Sequence, residues 1–269
     1  MLVFPRREFC DYLKGSSLFM AHIPRIFIDH PIIAGLAIEA SARHTHHLLH
    51  VLRKTDGDSV WLIDPQSGRW HGEIRIQKKR HCLLIPHHLE QPILQTRLRP
   101  IELWCSPLKT DMELLLHIAT SLNVARIVPL QMDHTDQIRH IDKWQLYITQ
   151  SAEQCGRMDL PELSPLSQLT AHINQLAHYS TTSLVLWADE QQAHLPFLPI
   201  IEHLNPSNQS PIAILIGPEG GFSAKERSLL QQTTSIHPIG LGSNILTAPI
   251  AACSLLSILA AYNARFISP

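Results

Sequence analysis

The residues best suited to chemistry lie in two glycine-bearing loops near the carboxyl end of the chain. The first reads Ile216-Gly217-Pro218-Glu219-Gly220-Gly221-Phe222-Ser223-Ala224-Lys225-Glu226. An apolar run ends, three glycines and a proline shape a tight loop, and a helical pattern begins. Glycine lets main-chain N–H groups approach a ligand closely, and Glu219 is the one acid before the helix. Ser223 and Glu226 have the spacing of a capping box. A plain βα turn needing glycine for its dihedral angles has the same composition. The second loop, Gly240-Leu241-Gly242-Ser243-Asn244-Ile245-Leu246, also follows an apolar run. Neither loop is a standard nucleotide fingerprint: the first lacks the GK[ST] ending of a P-loop, the second the third glycine of a dinucleotide turn. Two such loops from neighbouring strands would together enclose one cofactor.

Other clusters are weaker. Glu153-Gln154-Cys155-Gly156-Arg157 falls at a helix end, where Gly156 would cap and Arg157 would point outward; a simple glycine cap beside a surface arginine has the same pattern. His44, His46, His47 and His50 include one i, i+4 pair, but no carboxylate or cysteine completes a metal set nearby, and a basic RNA-facing helix accounts for them equally. No metal is expected. Cys105 and Cys155 have no identifiable histidine partner, and no G-x-S-x-G elbow exists.

The elements that position these loops follow from length and patterning. A chain of 269 residues suits one large or two modest domains, and 45% hydrophobic with 17% charged residues excludes wholesale disorder. Residues 1–100 carry 14 Lys+Arg against 9 Asp+Glu, whereas 101–269 carry 8 against 14. A basic front on an acidic back suits a polyanion-binding module joined to something else, or two solvated surfaces of unequal charge. The scattered cysteines fit a reducing compartment. Charges at Arg6, Arg7, Glu8, Asp11 and Lys14 interrupt any leader-like apolar core, and the apolar stretch at 248–262 is too short to span a bilayer. The expectation is a soluble cytoplasmic protein with no membrane partner. Residues 1–20 share no pattern with the rest and read as an extension. From 25 to about 90 the segments are short and β-like, with one helix near 42–52, as in a small barrel or sandwich. A linker is expected at 91–100. Beyond it strands alternate with helices: apolar runs at 101–105, 125–130, 183–187, 212–216 and 236–241, helical patterns at 110–122, 142–155, 223–232 and 249–264. That alternation predicts a parallel α/β sheet.

These segments, in this order, resemble the SPOUT methyltransferases, and most closely the bacterial small-subunit rRNA uridine-N3 methyltransferases (RsmE type). The resemblance rests on Ile23-Pro24-Arg25-Ile26-Phe27, His46-His47-Leu48-Leu49-His50-Val51-Leu52-Arg53 with Gly57-Asp58, Glu153-Gln154-Cys155-Gly156-Arg157 with Pro161-Glu162, Leu215 to Ser223, and Leu241-Gly242 with Ile245-Leu246. It implies an α/β domain at 93–269 with a C-terminal trefoil knot, preceded by a PUA-like β-barrel at 21–92 that contacts RNA through Arg25, His46 and Arg53. It implies S-adenosyl-L-methionine as cofactor, held by Leu215, Gly217, Glu219, Gly220, Gly221, Leu241, Gly242, Ile245 and Leu246. It further implies a homodimer acting on 16S rRNA within the assembled small ribosomal subunit. The implied reaction moves a methyl group to uridine N3, so nitrogen, methyl and sulfur must align and the N3 proton must leave. Arg157 is then the expected cation toward substrate, and Glu219 shapes the cofactor loop or serves as base.

The chain departs from the family pattern in places. After an Ile-Leu like Ile245-Leu246 the family usually continues Arg-x-Glu-Thr-Ala, whereas here Thr247-Ala248 follow directly. His117, Ser121 and Asn123 replace the usual Gln, Glu and Gly, and Met132-Asp133-His134 replaces a Ser-Glu-Arg. The alternative reading is therefore a non-catalytic RNA- or ribosome-binding relative that lost its cofactor through the shortened loop.

Overall fold

The computed structural model describes residues 23–78, 81–93, 99–136, 138, 140–176, 184–192, 197–202, 204 and 208–265. The expected extension at 1–20 lies outside them. The chain divides into two compact units between Gln91 and Pro92.

The first unit is built on alternation. In β3 (Ser59–Asp64), Val60 and Leu62 are buried while Ser59 and Trp61 are only half-buried, the period of a strand with one face on a core. The other strands are β1 (Arg25–Phe27), β2 (Ile38–Glu39), β4 (Gly68–Lys78) and β5 (His81–Pro92). They form one sheet in the order β1-β3-β4-β5-β2. β1 runs parallel to β3, and β3 antiparallel to β4. Its core gathers Ile26, Val60, Leu62, Ile74 and Leu84 around Leu48. A Cβ on Gly72 would stand 2.7 Å from the Ile85 carbonyl oxygen, so glycine there permits the close approach of β4 and β5. The expected helix is α1 (Ala42–His46), continued by a wider turn over His47–Val51 in which the Leu52 N–H reaches back to the His47 carbonyl. β5 extends to Pro92, so the start of the expected linker is strand.

The second unit is a parallel α/β sheet. Its strands are β6 (Ile101–Cys105), β7 (Arg126–Gln131), β8 (Glu162–Leu163), β9 (Ser167–Gln168), β10 (Leu184–Ala188), β11 (Ile212–Ile216) and β12 (Ile236–Ile239). The helices are α2 (Met112–Ser121), α3 (Trp144–Cys155), α4 (Leu169–Leu176), α5 (Leu198–Glu202), α6 (Ala224–Gln232) and α7 (Ala248–Ala264). Strand order is β12-β10-β11-β6-β7-β8, with β9 on β7. Both faces are covered, which is why the strands read as continuous apolar runs. Ile212, Ile214 and Ile216 of β11 join one core, with Leu115, Ile148 and Leu255 of α2, α3 and α7. Ala213 and Leu215 join the other, with Ile173 of α4 and Leu230 of α6. This order sets the ends of β12, β10, β11 and β6 side by side although they are far apart in the chain.

Candidate functional site

Ligands of parallel sheets bind outside the carboxyl ends of the strands. There, in the second unit, a cleft of about 460 Å³ opens, within the range of small-molecule sites. Its walls come from Leu108 after β6, Asp189 and Glu190 after β10, the glycine loop after β11, and Leu241 to Thr247 after β12. Of the residues expected at a cofactor, Gly217, Glu219, Gly220, Gly221, Leu241, Gly242, Ile245 and Leu246 all line it. Leu215 does not: it is a fully buried β11 residue in the core below the loop.

Local chemistry builds the glycine loop. Gly221 and Gly242 adopt φ of 72° and 105°, a region that favours glycine. A Cβ on Gly217 would stand 2.5 Å from the Phe222 ring, which itself packs edge-on against Trp187 with centroids 5.4 Å apart. The capping box is complete: Ser223 Oγ accepts from the Glu226 N–H at 3.2 Å, and Glu226 Oε2 from the Ser223 N–H at 2.9 Å. From the segment after β7, the Asp133 N–H donates to Glu226 Oε1 (2.8 Å), and Asp133 Oδ2 accepts from Ser223 Oγ (2.6 Å). His134 Nδ1 donates to the Gly220 and Gly221 carbonyls at 3.2 and 3.0 Å. The departure at Met132-Asp133-His134 thus lies directly against the loop that shapes the cleft.

Two acids on the opposite wall escaped the reading of the sequence. Asp189 is 2% exposed; Oδ1 accepts from Arg227 and from the Gln191 N–H, while Oδ2 is buried with no hydrogen-bond partner among the described residues. Glu190 pairs with the same guanidinium, which lies 5.9 Å from the Trp187 and Phe222 ring centroids. Their position just after an apolar strand run was the signal available. Glu219 is exposed at the rim and makes no hydrogen bond or ion pair among the described residues.

Arg157 is not among the residues lining the cleft. Gly156 ends α3 in the left-handed conformation, as its cap role predicts, but the arginine that follows turns inward. Nε and Nη2 grip both Asp159 oxygens at 2.8 Å, and Nη1 donates to the Thr120 and Val124 carbonyls at 3.2 and 2.7 Å. Hydrogen bonding from Arg157 holds the Asp159 carboxyl below its ordinary pKa. Cys105, buried at the end of β6, has its thiol pushed up to about 12 by burial. In the first unit Arg25 is half-buried in β1, while His46 and Arg53 are exposed; the His46 and His50 rings lie 5.2 Å apart. No group of three or more His, Cys, Asp or Glu among the described residues is placed to hold a metal, and no described helix is long and apolar enough to cross a membrane.

The RNA methyltransferase domain family matches residues 94–260, and the RNA methyltransferase PUA domain family matches 43–86. The chain belongs to this RNA methyltransferase family. Within it, the ribosomal RNA small subunit methyltransferase E of Rickettsia conorii is 27% identical over 238 residues, covering 87% of this chain and 93% of its own. The enzyme of the same name from Synechocystis is 26% identical, with 91% and 80% covered. A Legionella pneumophila protein solved with bound S-adenosylmethionine superposes with a TM-score of 0.75 at 26% identity, over 89% of this chain and 98% of that one. The Neisseria gonorrhoeae small subunit methyltransferase E, solved with the same ligand, shares the fold with a TM-score of 0.71 at 19% identity, over 89% and 98% of the two chains. The architecture is therefore that of a SPOUT methyltransferase with an N-terminal PUA-like unit.

Proposed function

We propose that this chain methylates ring nitrogen N3 of a uridine in 16S rRNA of the small ribosomal subunit, in the cytoplasm, using S-adenosyl-L-methionine held in the cleft. The observation behind this reading is the cleft itself: backbone from loops after β10, β11 and β12 converges there. The residues fit such a ligand. Gly217, Gly221 and Gly242 line the cleft: the Phe222 ring fills the space a Cβ on Gly217 would need, and the positive φ of Gly221 and Gly242 favours glycine. The direct step from Leu246 to Thr247 still leaves both residues on the wall, with Pro249 in the first turn of α7. Those C-terminal segments are the ones the resemblance threads into a trefoil knot.

The bound cofactor supplies an electrophilic methyl group on a sulfonium. The chain supplies shape, orientation and proton handling. Gly217, Gly220, Gly221 and Gly242 bring main-chain groups to the cleft, and Asp189 Oδ2 offers a buried acceptor for a ligand hydroxyl or ammonium. Uridine N3 carries a proton that must be removed, and Glu219, exposed at the rim with no hydrogen bond or ion pair among the described residues, would accept it. Arg157 ties the end of α3 to the Thr120 and Val124 carbonyls, at the end of α2 and the amino end of β7, a structural role away from the cleft at the strands' carboxyl ends. Ile245 is 84% and Ile250 54% exposed beside the cleft, which suits burial against a second copy of the chain.

The test is transfer of labelled methyl to small subunits lacking the mark, followed by reverse transcription across the rRNA. N3 methylation blocks Watson–Crick pairing, so one new stop at a uridine is expected. Absence of incorporation by folded protein would overturn the reaction in favour of a non-catalytic rRNA-binding role.

A further inference from the structure

The outward face of the N-terminal sheet carries a row of planar groups that the methyl-transfer reading leaves unused. Arg25 of β1 stands in register with Trp61 of β3, and Trp61 with His71 of β4. Trp61 and His71 meet edge-to-face, centroids 5.3 Å apart at 71°. The sheet continues to β5, whose His87 and His88 rings lie 6.0 and 5.4 Å from His71. Arg69, two residues before His71 and so on the same face, sets its guanidinium 4.7 Å from the Trp61 ring centroid. Its Nε is buried and has no hydrogen-bond partner among the described residues.

The other face of these strands buries Val60, Leu62 and Ile74, so the core does not need this row. Acids near it are engaged: Glu73 pairs with Arg75 at 2.7 Å and His87 at 3.7 Å, and Glu90 with His88 at 3.2 Å. Arg69 has no acidic partner among the described residues. An indole, a guanidinium plane and imidazoles in series match the flat faces of unstacked bases, and cations among them suit the phosphates between those bases. An acidic peptide would use the cations and leave the rings idle. Residues 1–100 also carry 14 Lys+Arg against 9 Asp+Glu, the sign a polyanion requires.

We propose that this face, from Trp61 across Arg69 and His71 to His87 and His88, is a stacking platform for unpaired nucleotides of RNA. The proposal rests on the reading that the substrate is RNA, and adds that the bound segment is single-stranded. The experiment uses the full chain and fluorescence anisotropy with a labelled unstructured RNA strand, beside a blunt duplex of the same length. The strand is expected to bind more tightly than the duplex. Trp61→Ala and His71→Ala should each weaken strand binding about ten-fold, while Trp61→Phe stays within about three-fold of wild type. Trp61→Ala should leave the dependence of affinity on salt unchanged, because it removes stacking and no phosphate contact.

Strand affinity within about two-fold of wild type in folded Trp61→Ala and His71→Ala would overturn the platform. So would equal affinity for duplex and strand. If Trp61→Ala does not fold, His71→Ala and Arg69→Gln carry the same test. Affinity for S-adenosylmethionine, measured by calorimetry on each variant, should not move. A wild-type chain that binds the strand through Trp61 yet transfers no methyl supports the platform and overturns only the reaction.

Discussion

Replacing Arg227 by methionine tests how the acid wall of the cleft is held. The Arg227 side chain is 11% exposed and that of Asp189 is wholly buried, so their pair sits away from water. Methionine keeps an apolar stem beside Trp187 and Phe222 but removes the guanidinium, leaving the Asp189 carboxylate, among the described residues, with the Gln191 N–H alone. Removing one partner of a buried pair costs about 3–5 kcal/mol, because the remaining charge is uncompensated. For a unit of this size that is a fall in Tm of about 6–20 °C. Scanning calorimetry of the full chain should show this in the transition of the C-terminal unit only, since both residues lie there. Asp189→Asn in the Arg227→Met background should recover most of the loss, because no bare charge then remains buried. Affinity for S-adenosylmethionine should fall in Arg227→Met, as Asp189 and Glu190 line the cleft. A loss below about 1 kcal/mol, or a double variant as unstable as the single, would refute the reasoning.

Further expectations concern the loops, the helix ends and the thiols. A Cβ added to Gly242 would meet open space, but the residue holds φ of 105°, so Gly242→Ala costs only backbone strain of about 1–3 kcal/mol. Calorimetry should show weaker S-adenosylmethionine binding, whereas Gly35→Ala, also at positive φ but in the first unit, should leave it unchanged. Arg157→Ala strips donors from the Thr120 and Val124 carbonyls and should cost about 3 kcal/mol in urea unfolding; full stability with lost turnover would instead place Arg157 on the substrate. Asp159 has a lowered pKa, so its pairing with Arg157 stabilises the fold above the ordinary carboxylate pKa of about 4 and is lost as pH falls through the lowered value. Asp159→Asn should therefore flatten that acid limb of stability and leave the neutral range without a new pH dependence. Alkylation near pH 8 should modify exposed Cys155 and spare Cys105 until denaturant is added; prompt reaction at Cys105 would contradict its burial.

Features set by neighbours in the chain were legible in the residues. Five consecutive apolar residues make β11, Ser223 and Glu226 close a capping box three residues apart, and Gly156 ends α3 because it accepts a left-handed dihedral at little cost. Short-range hydrogen bonding and dihedral preference suffice for these, and so the glycine loop and its helix could be placed. Elements that owe their form to packing were not legible. β8 is a two-residue strand completed by β7, and α4 is an eight-residue helix that buries only Leu169 and Ile173.

The site divides in the same way. Residue types and spacing alone singled out the loop of Gly217, Gly220 and Gly221 and its companion at Leu241 to Leu246 as candidates to meet a ligand, beside the reading of a plain βα turn. What stands opposite them is set by long-range packing. Asp189 meets Arg227 across 38 residues, and Asp133 meets Ser223 across 90, because the strand order brings β7, β10 and β11 ends to one side of the sheet. Arg157 turns inward for the same reason: the carbonyls that receive its Nη1 lie 37 and 33 residues away, buried at and just beyond the end of α2. A buried guanidinium is tolerable only where such acceptors converge, and no local pattern encodes their convergence.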